Sequence, residues 1–184
     1  MISQIIFLLF FPACLGILRQ VIWASELTHQ LLAVGIFFFC IEQANMANQD
    51  LLQVANAKKL VKDARLDIFH HITIITIIIE LIGFYLSSIY IGGGSLLILF
   101  GLIWFNLFAN IKINLSAKHI IQPWHITERL PVLISDLVGL ILVSLWMLKI
   151  ADIWISWGLF AMAVVFCGIK LFLYFKSFNL VREV

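Results

Sequence analysis

The residue with the most chemical potential is Glu80, one carboxyl near the middle of the apolar run DIFHHITIITIIIELIGFYLSS at residues 67–88. On a helix of about 3.6 residues per turn, His70, Thr73, Thr76 or Ile77, Glu80, Gly83 and Ser87 fall on one face, with Ile, Phe and Leu opposite. An ionised acid at the centre of a bilayer costs roughly 2.5–3.5 kcal/mol even on insertion scales. Glu80 must therefore be protonated, paired or hydrated, and its face must look into a bundle or a wet crevice.

A second acid, Asp136, lies between Ser135 and Gly139, a small-xxx-small pair suited to close helix contact. It sits little more than a turn inside Pro131 and is shallower than Glu80. Asn106 and Asn110, four residues apart, form a polar face able to meet either acid. Cations that could pair within the spans are few. Arg19 and Lys149 lie toward one end and Lys170 toward the other, and none matches Glu80 in depth. Two roles follow. Glu80, helped by Thr73, Thr76 and Asn106, lines a path for protons or small cations, or a protonated Glu80 bonds an Asn or a carbonyl and fixes packing.

Other chemistries are less well supplied. His70 and His71 are adjacent and point about 100° apart on a helix, so they cannot chelate one ion. His119 and His125 stand six apart across a proline, which is no standard ligand spacing. His29 belongs to the other side of the membrane. No cofactor is expected; a haem held by His70 or His71 is disfavoured, and no metal site is indicated. No nucleophile–base pair is brought together by the sequence, so catalysis is the weakest of the functional readings. Cys14, Cys40 and Cys167 each lie in an apolar run and read as small packing residues.

The elements that position these residues are helices in a membrane. The chain of 184 residues is 63% hydrophobic and 12% charged, with a mean hydropathy of +1.09. A soluble domain is about 45–50% apolar and about 25% charged. So little charge cannot cover a globular surface, and the surplus apolar surface must face lipid. A net charge of +2 with scattered Lys and Arg excludes a nucleic-acid partner.

Apolar runs at 68–90, 95–111, 131–147 and 153–175 are long enough to span; those at 2–22 and 27–41 are shorter or interrupted. The run at 2–22 has no Lys or Arg before it and a poor cleavage box, and reads as a retained span rather than a signal peptide. The expected fold is all-α, a polytopic membrane protein of about six spans.

Lys58, Lys59, Lys62, Arg65, Lys112, Lys118, Arg129, Lys176 and Arg182 gather on one side, which places both termini in the cytoplasm. Trp23, Trp146, Trp154 and Trp157 then mark an aromatic belt on the other side.

Residues 36–82 contain neither Gly nor Pro, so the polar stretch within them is expected to be mostly helical, with a break at Asn45–Asp50. This organises the chain as a hairpin at 1–44, a cytoplasmic amphipathic helix at 45–67, and a four-helix region at 68–184 with a cytoplasmic loop at 112–130. On the amphipathic helix Lys58, Lys62 and Arg65 line a basic face which, with Lys59, suits anionic lipid headgroups. Lys59 and Asp63 are spaced for an i,i+4 pair. Val54, Ala57, Val61, Ala64 and Ile68 form a small apolar stripe that needs a cover, an argument for a helical hairpin or an oligomer.

Gly92, Gly93 and Gly94 suit a tight reversal between spans. Trp124 and residues 119–122 suit the membrane interface. Thr127 is placed to cap the fifth span, with Pro131 in its first turn. The function expected is a small oligomeric channel or transporter for protons or small cations. The alternatives are an accessory subunit of a larger membrane complex and a cofactor-bearing or catalytic membrane protein.

Overall fold

In the computed structural model, which describes residues 2–115 and 119–182 and the side chains of residues 5–115 and 119–169, six helices run up and down. They are α1 (Ile2–Trp23), α2 (Leu27–Leu60), α3 (Ala64–Ser87), α4 (Ile91–Phe108), α5 (Ile126–Met147) and α6 (Asp152–Arg182). All six are long and apolar enough to cross a membrane, as a multi-pass membrane protein requires. Lys118 and the side chains of Lys170, Lys176 and Arg182 lie outside the described residues.

Helix α2 is the organising element. At 34 residues it is about 51 Å long, well beyond a hydrocarbon core of about 30 Å. It packs against α1, α3 and α6, while α3 and α4 make the most extensive contact of all and α4 also packs on α5. The expected break at Asn45–Asp50 is not there: the helix runs straight through. Buried Gln43, Ala47, Val54 and Ala57 hold that segment against its neighbours, and Gln49 Nε2 donates to Asn45 Oδ1 at 3.3 Å along the helix. Packing outweighs the weak turn preference of Asn and Asp.

The break falls instead at residues 61–63. Val61 and Asp63 are extended, and Asp63 Oδ1 accepts from the Arg65 N–H at 2.9 Å, capping α3. The polar helix therefore prolongs the second span instead of leading into the third. The expected Lys59–Asp63 pair does not form, because Asp63 lies beyond the helix end and pairs with Arg65 at 2.7 Å.

Two other segments depart from expectation. Gly92–Gly94 are not the reversal; they form the first turn of α4, and the turn is Ser88–Tyr90. A Cβ on Gly94 would lie 2.2 Å from the Ser87 N and one on Gly83 2.7 Å from Ile98 Cγ1. These glycines let α3 and α4 touch backbone to backbone. The loop after α4 holds a short antiparallel hairpin, β1 (Ile111–Ile113) with β2 (Ile121–Pro123), in register Lys112 to Gln122. The expected Thr127 cap is also absent: His125 occupies the N-cap of α5, with no side-chain capping bond.

That hairpin covers the Val54 and Ala57 part of the small apolar stripe from within the chain, while Ala64 and Ile68, beyond the break in the helix, are exposed. Val54, Ala57, Leu66, Phe69, Ala109 and Ile111 form one buried cluster, with Ile120, Ile121 and Trp124 packed on it. A larger cluster joins α1 to α4 through Phe10, Ile17, Cys40, Ile77, Phe84 and Ile98. At the far end Trp146 is only 7% exposed, packed with Leu32, Ala33 and Ile91. It is not part of a lipid-facing belt, whereas Trp23, Trp154 and Trp157 are exposed.

Candidate functional site: a buried acid crevice

Helices α2, α3 and α4 enclose a crevice of about 40 Å³ lined by Gln43, Asp50, Thr73, Thr76, Glu80 and Leu102 among others. Glu80 is 3% exposed, and among the described residues its carboxyl has neither a hydrogen-bond partner nor a cation. The missing Cβ at Gly101 admits its stem: a Cβ there would lie 3.3 Å from Glu80 Cγ. Thr73 and Thr76 donate to the carbonyls of Phe69 and Ile72, each at 2.9 Å. Their hydroxyl oxygens remain able to accept from water or from a protonated acid.

Asp50, half-buried on α2, shares the crevice with Glu80. Both it and Asp136 are near enough to interact electrostatically with Glu80. Asp136 is 8% exposed, and its Oδ2 accepts from Asn106 Nδ2 at 3.2 Å. The same amide nitrogen donates to the Leu102 carbonyl at 3.0 Å, so both of its protons are used.

A buried arginine completes the network. Arg129, 2% exposed, donates from Nη1 to the carbonyls of Asn106 and Ala109 and from Nη2 to Asn110 Oδ1 at 3.2 Å. Its guanidinium lies 5.5 Å from the Trp124 ring centroid. The last carbonyls of a helix lack intrahelical donors and carry partial negative charge, so a cation there both caps and neutralises α4.

Of the residues chosen from the sequence, Thr73, Thr76 and Glu80 line the crevice, and Asn106 and Asp136 adjoin it as a bonded pair. Three do not belong. Ser87 is fully buried in the α3–α4 contact with its Oγ unpartnered among the described residues. His70 accompanies Lys58 at the helix end, Nδ1 to Nζ 3.2 Å. Asn110 serves Arg129 and not an acid.

Gln43, Asp50 and Arg129 escaped the sequence reading. In the sequence Asp50 falls in an expected turn, and Arg129 reads as a boundary charge. Their signal was present: Gln43, Ala47 and Asp50 recur at helical spacing on one face.

Among the expected headgroup cations, Lys58 pairs with Asp67 at 2.8 Å and Arg65 with Asp63, while Lys59 and Lys62 are exposed. The Arg65 guanidinium and N–H hold the Asp63 carboxyl below the usual range. His71 Nδ1 lies 2.6 Å from the Asp67 carbonyl oxygen. At the far end His29 Nε2 lies 3.0 Å from Gln20 Oε1, and its ring meets Trp146 edge-on. No protein-family model matches the chain, no curated protein matches it, and no solved structure matches its fold.

Proposed function

We propose that the protein moves protons across a membrane, with Glu80 as the proton carrier in the middle of the bundle. One observation carries this reading. Glu80 is buried without a hydrogen bond or a counter-ion among the described residues, and it shares a small crevice with a second carboxyl, Asp50. A carboxyl kept only for packing would be bonded, since leaving a buried polar group unsatisfied costs about 1–3 kcal/mol.

The size of the crevice favours protons over metal cations. About 40 Å³ holds one to a few waters, each needing roughly 10–15 Å³ of this kind of space, and no hydrated ion. The path lies inside one chain and needs no second copy. The bundle end that carries Lys58, Lys59, Lys62 and Arg65 faces the cytoplasm, as do both termini.

The test is proton flux into proteoliposomes for wild type and Glu80→Gln. Glutamine keeps the shape but carries no exchangeable acid. Flux is expected to fall at least tenfold with the elution profile unchanged. Equal flux in both would make Glu80 a packing residue and end this reading.

A second reading, an accessory subunit of a larger membrane complex, draws on α6. Only 6% of its span from Asp152 to Ile169 is buried, and nothing lies within 4 Å of a Cβ built on Gly158 or Gly168. Co-purification with an unlike membrane protein that shields those glycines would support it.

A further inference from the structure

A second cavity, of about 400 Å³, opens between α2, α4, α5 and α6. Its walls are apolar, with Phe38, Phe39, Met162 and Phe166 prominent. Among the described residues, the only charged side chain lining it is Asp136. The volume is that of a pocket for a drug-sized molecule, and Gly35 and Gly139 widen it by carrying no side chain. Leu102 lines both this groove and the Glu80 crevice, so its side chain borders both acids' cavities.

We propose that this groove takes a hydrophobic organic cation in exchange for the proton on Asp136. Among the described residues the Asp136 carboxyl has only the neutral Asn106 amide as a hydrogen-bond partner, so ionising it in an apolar wall is costly while the groove is empty or holds a neutral acyl chain. A hydrophobic cation changes that balance. It brings its own counter-charge, loses little hydration on leaving water, and meets aromatic faces that attract cations. The step balances: the protonated acid and the free cation give the carboxylate–cation pair and one released proton. No bond other than O–H changes.

Asn106 stays bonded to one carboxylate oxygen throughout, which leaves the other for the ligand. Among the described residues the titratable and charged groups around Asp136 are Glu80 on α3, Arg129 two turns earlier on α5, Cys167 on α6 and, beside Cys167, Glu42 on α2. Among the described residues α4 brings no titratable side chain to the groove wall, Glu42 of α2 is near enough to Cys167 to interact with it electrostatically, and Asp50 of α2 faces Glu80 across the crevice. Glu80 is therefore the group placed to receive or supply the exchanged proton. That coupling rests on the proton reading above, whereas binding at Asp136 does not.

The test is binding of tetraphenylphosphonium to the purified full chain in lipid nanodiscs at several pH values, beside the neutral triphenylphosphine oxide. Because one proton is displaced per cation, affinity is expected to rise by about tenfold per pH unit while Asp136 is protonated, and the neutral compound is expected to bind at least tenfold more weakly. Asp136→Asn is expected to lose the cation at least tenfold and Asp136→Glu to retain it. Should Asp136→Asn fail to fold, Ala163→Phe, which narrows the groove without touching the acid, is expected to lose binding instead.

Equal binding of the neutral compound, or cation binding indifferent to Asp136→Asn or to Ala163→Phe, would overturn the proposal and leave a lipid-filled cleft. Proton flux without cation binding would sink the groove alone. Cation binding without proton flux would sink the Glu80 path alone.

Discussion

Asn106 holds Asp136 with its side chain, Nδ2 to Oδ2 at 3.2 Å, while its main-chain carbonyl is held by Arg129. One residue of α4 is thereby bound at both ends to α5, and the buried acid and the buried arginine are joined through it. Removing the arginine should do more damage than removing the amide. Arg129→Met would strand the carbonyls of Asn106 and Ala109 and is expected to cost about 2–4 kcal/mol, charge-assisted bonds being worth about 1.5–3 kcal/mol each. Asn106→Ala is expected to cost about 1–2 kcal/mol, one ordinary bond and its packing. Thermal unfolding in detergent, ranked across the two variants, checks the order; Lys at 129 should not rescue, for want of a planar fork.

The α3–α4 contact gives a contrast among glycines. Gly94→Ala would drive a methyl to 2.2 Å from backbone at Ser87, and it is expected to abolish the monodisperse folded species. Gly168→Ala meets nothing within 4 Å and is expected to be neutral or to gain up to about 1 kcal/mol from helix propensity. Size-exclusion chromatography and melting temperature read both.

Cys14 Sγ lies 3.1 Å from Cys40 Sγ across the α1–α2 packing, with Cys40 fully buried. From the sequence alone these cysteines read as small packing residues. Mild oxidation with a membrane-permeant diazene is expected to join them within one chain, leaving Cys167 as the free thiol, as peptide mass mapping would show. Recovery of Cys14 or Cys40 linked mainly to Cys167 would contradict this packing.

At the far end Lys149 Nζ bonds Glu26 Oε2 at 2.6 Å, joining the α1–α2 turn to the α5–α6 turn. The hydrogen bond and charge of Lys149 hold the Glu26 carboxyl below its ordinary range, and Glu26 raises Lys149 in return. A depressed folded-state value means that the contribution is present above the unfolded-state value and is lost as pH falls through the folded one. Both groups are exposed, so the effect on stability is expected to be small. Carbon-detected titration of Glu26 should give a midpoint below that of a free glutamate, returning upward in Lys149→Met.

In the crevice, Asp50→Asn should slow proton flux several-fold without stopping it. Asp50 is the half-buried acid, better hydrated than Glu80 and easier to replace by water. Stopped-flow pH-dye measurements in vesicles compare it with Glu80→Gln; complete loss at Asp50 would move the principal carrier from α3 to α2.

Composition and hydropathy alone determined that the chain is a set of about six apolar helices, because apolar runs near 20 residues long satisfy their own backbone in oil by coiling into helices. Helical periodicity alone put Thr73, Thr76 and Glu80 on one face, since 3.6 residues per turn is a local property. Which residues of other helices meet that face is not local. Asp50 reaches Glu80 because α2 stays helical through Asn45–Asp50, a choice made by packing of Gln43, Ala47 and Val54 against weak turn propensity. Arg129 turns inward because α4 ends beside it with bare carbonyls. Gly94 lies in a helix because α3 leaves no room for a side chain there. Each of these was decided by a neighbour distant in sequence, which periodicity cannot report.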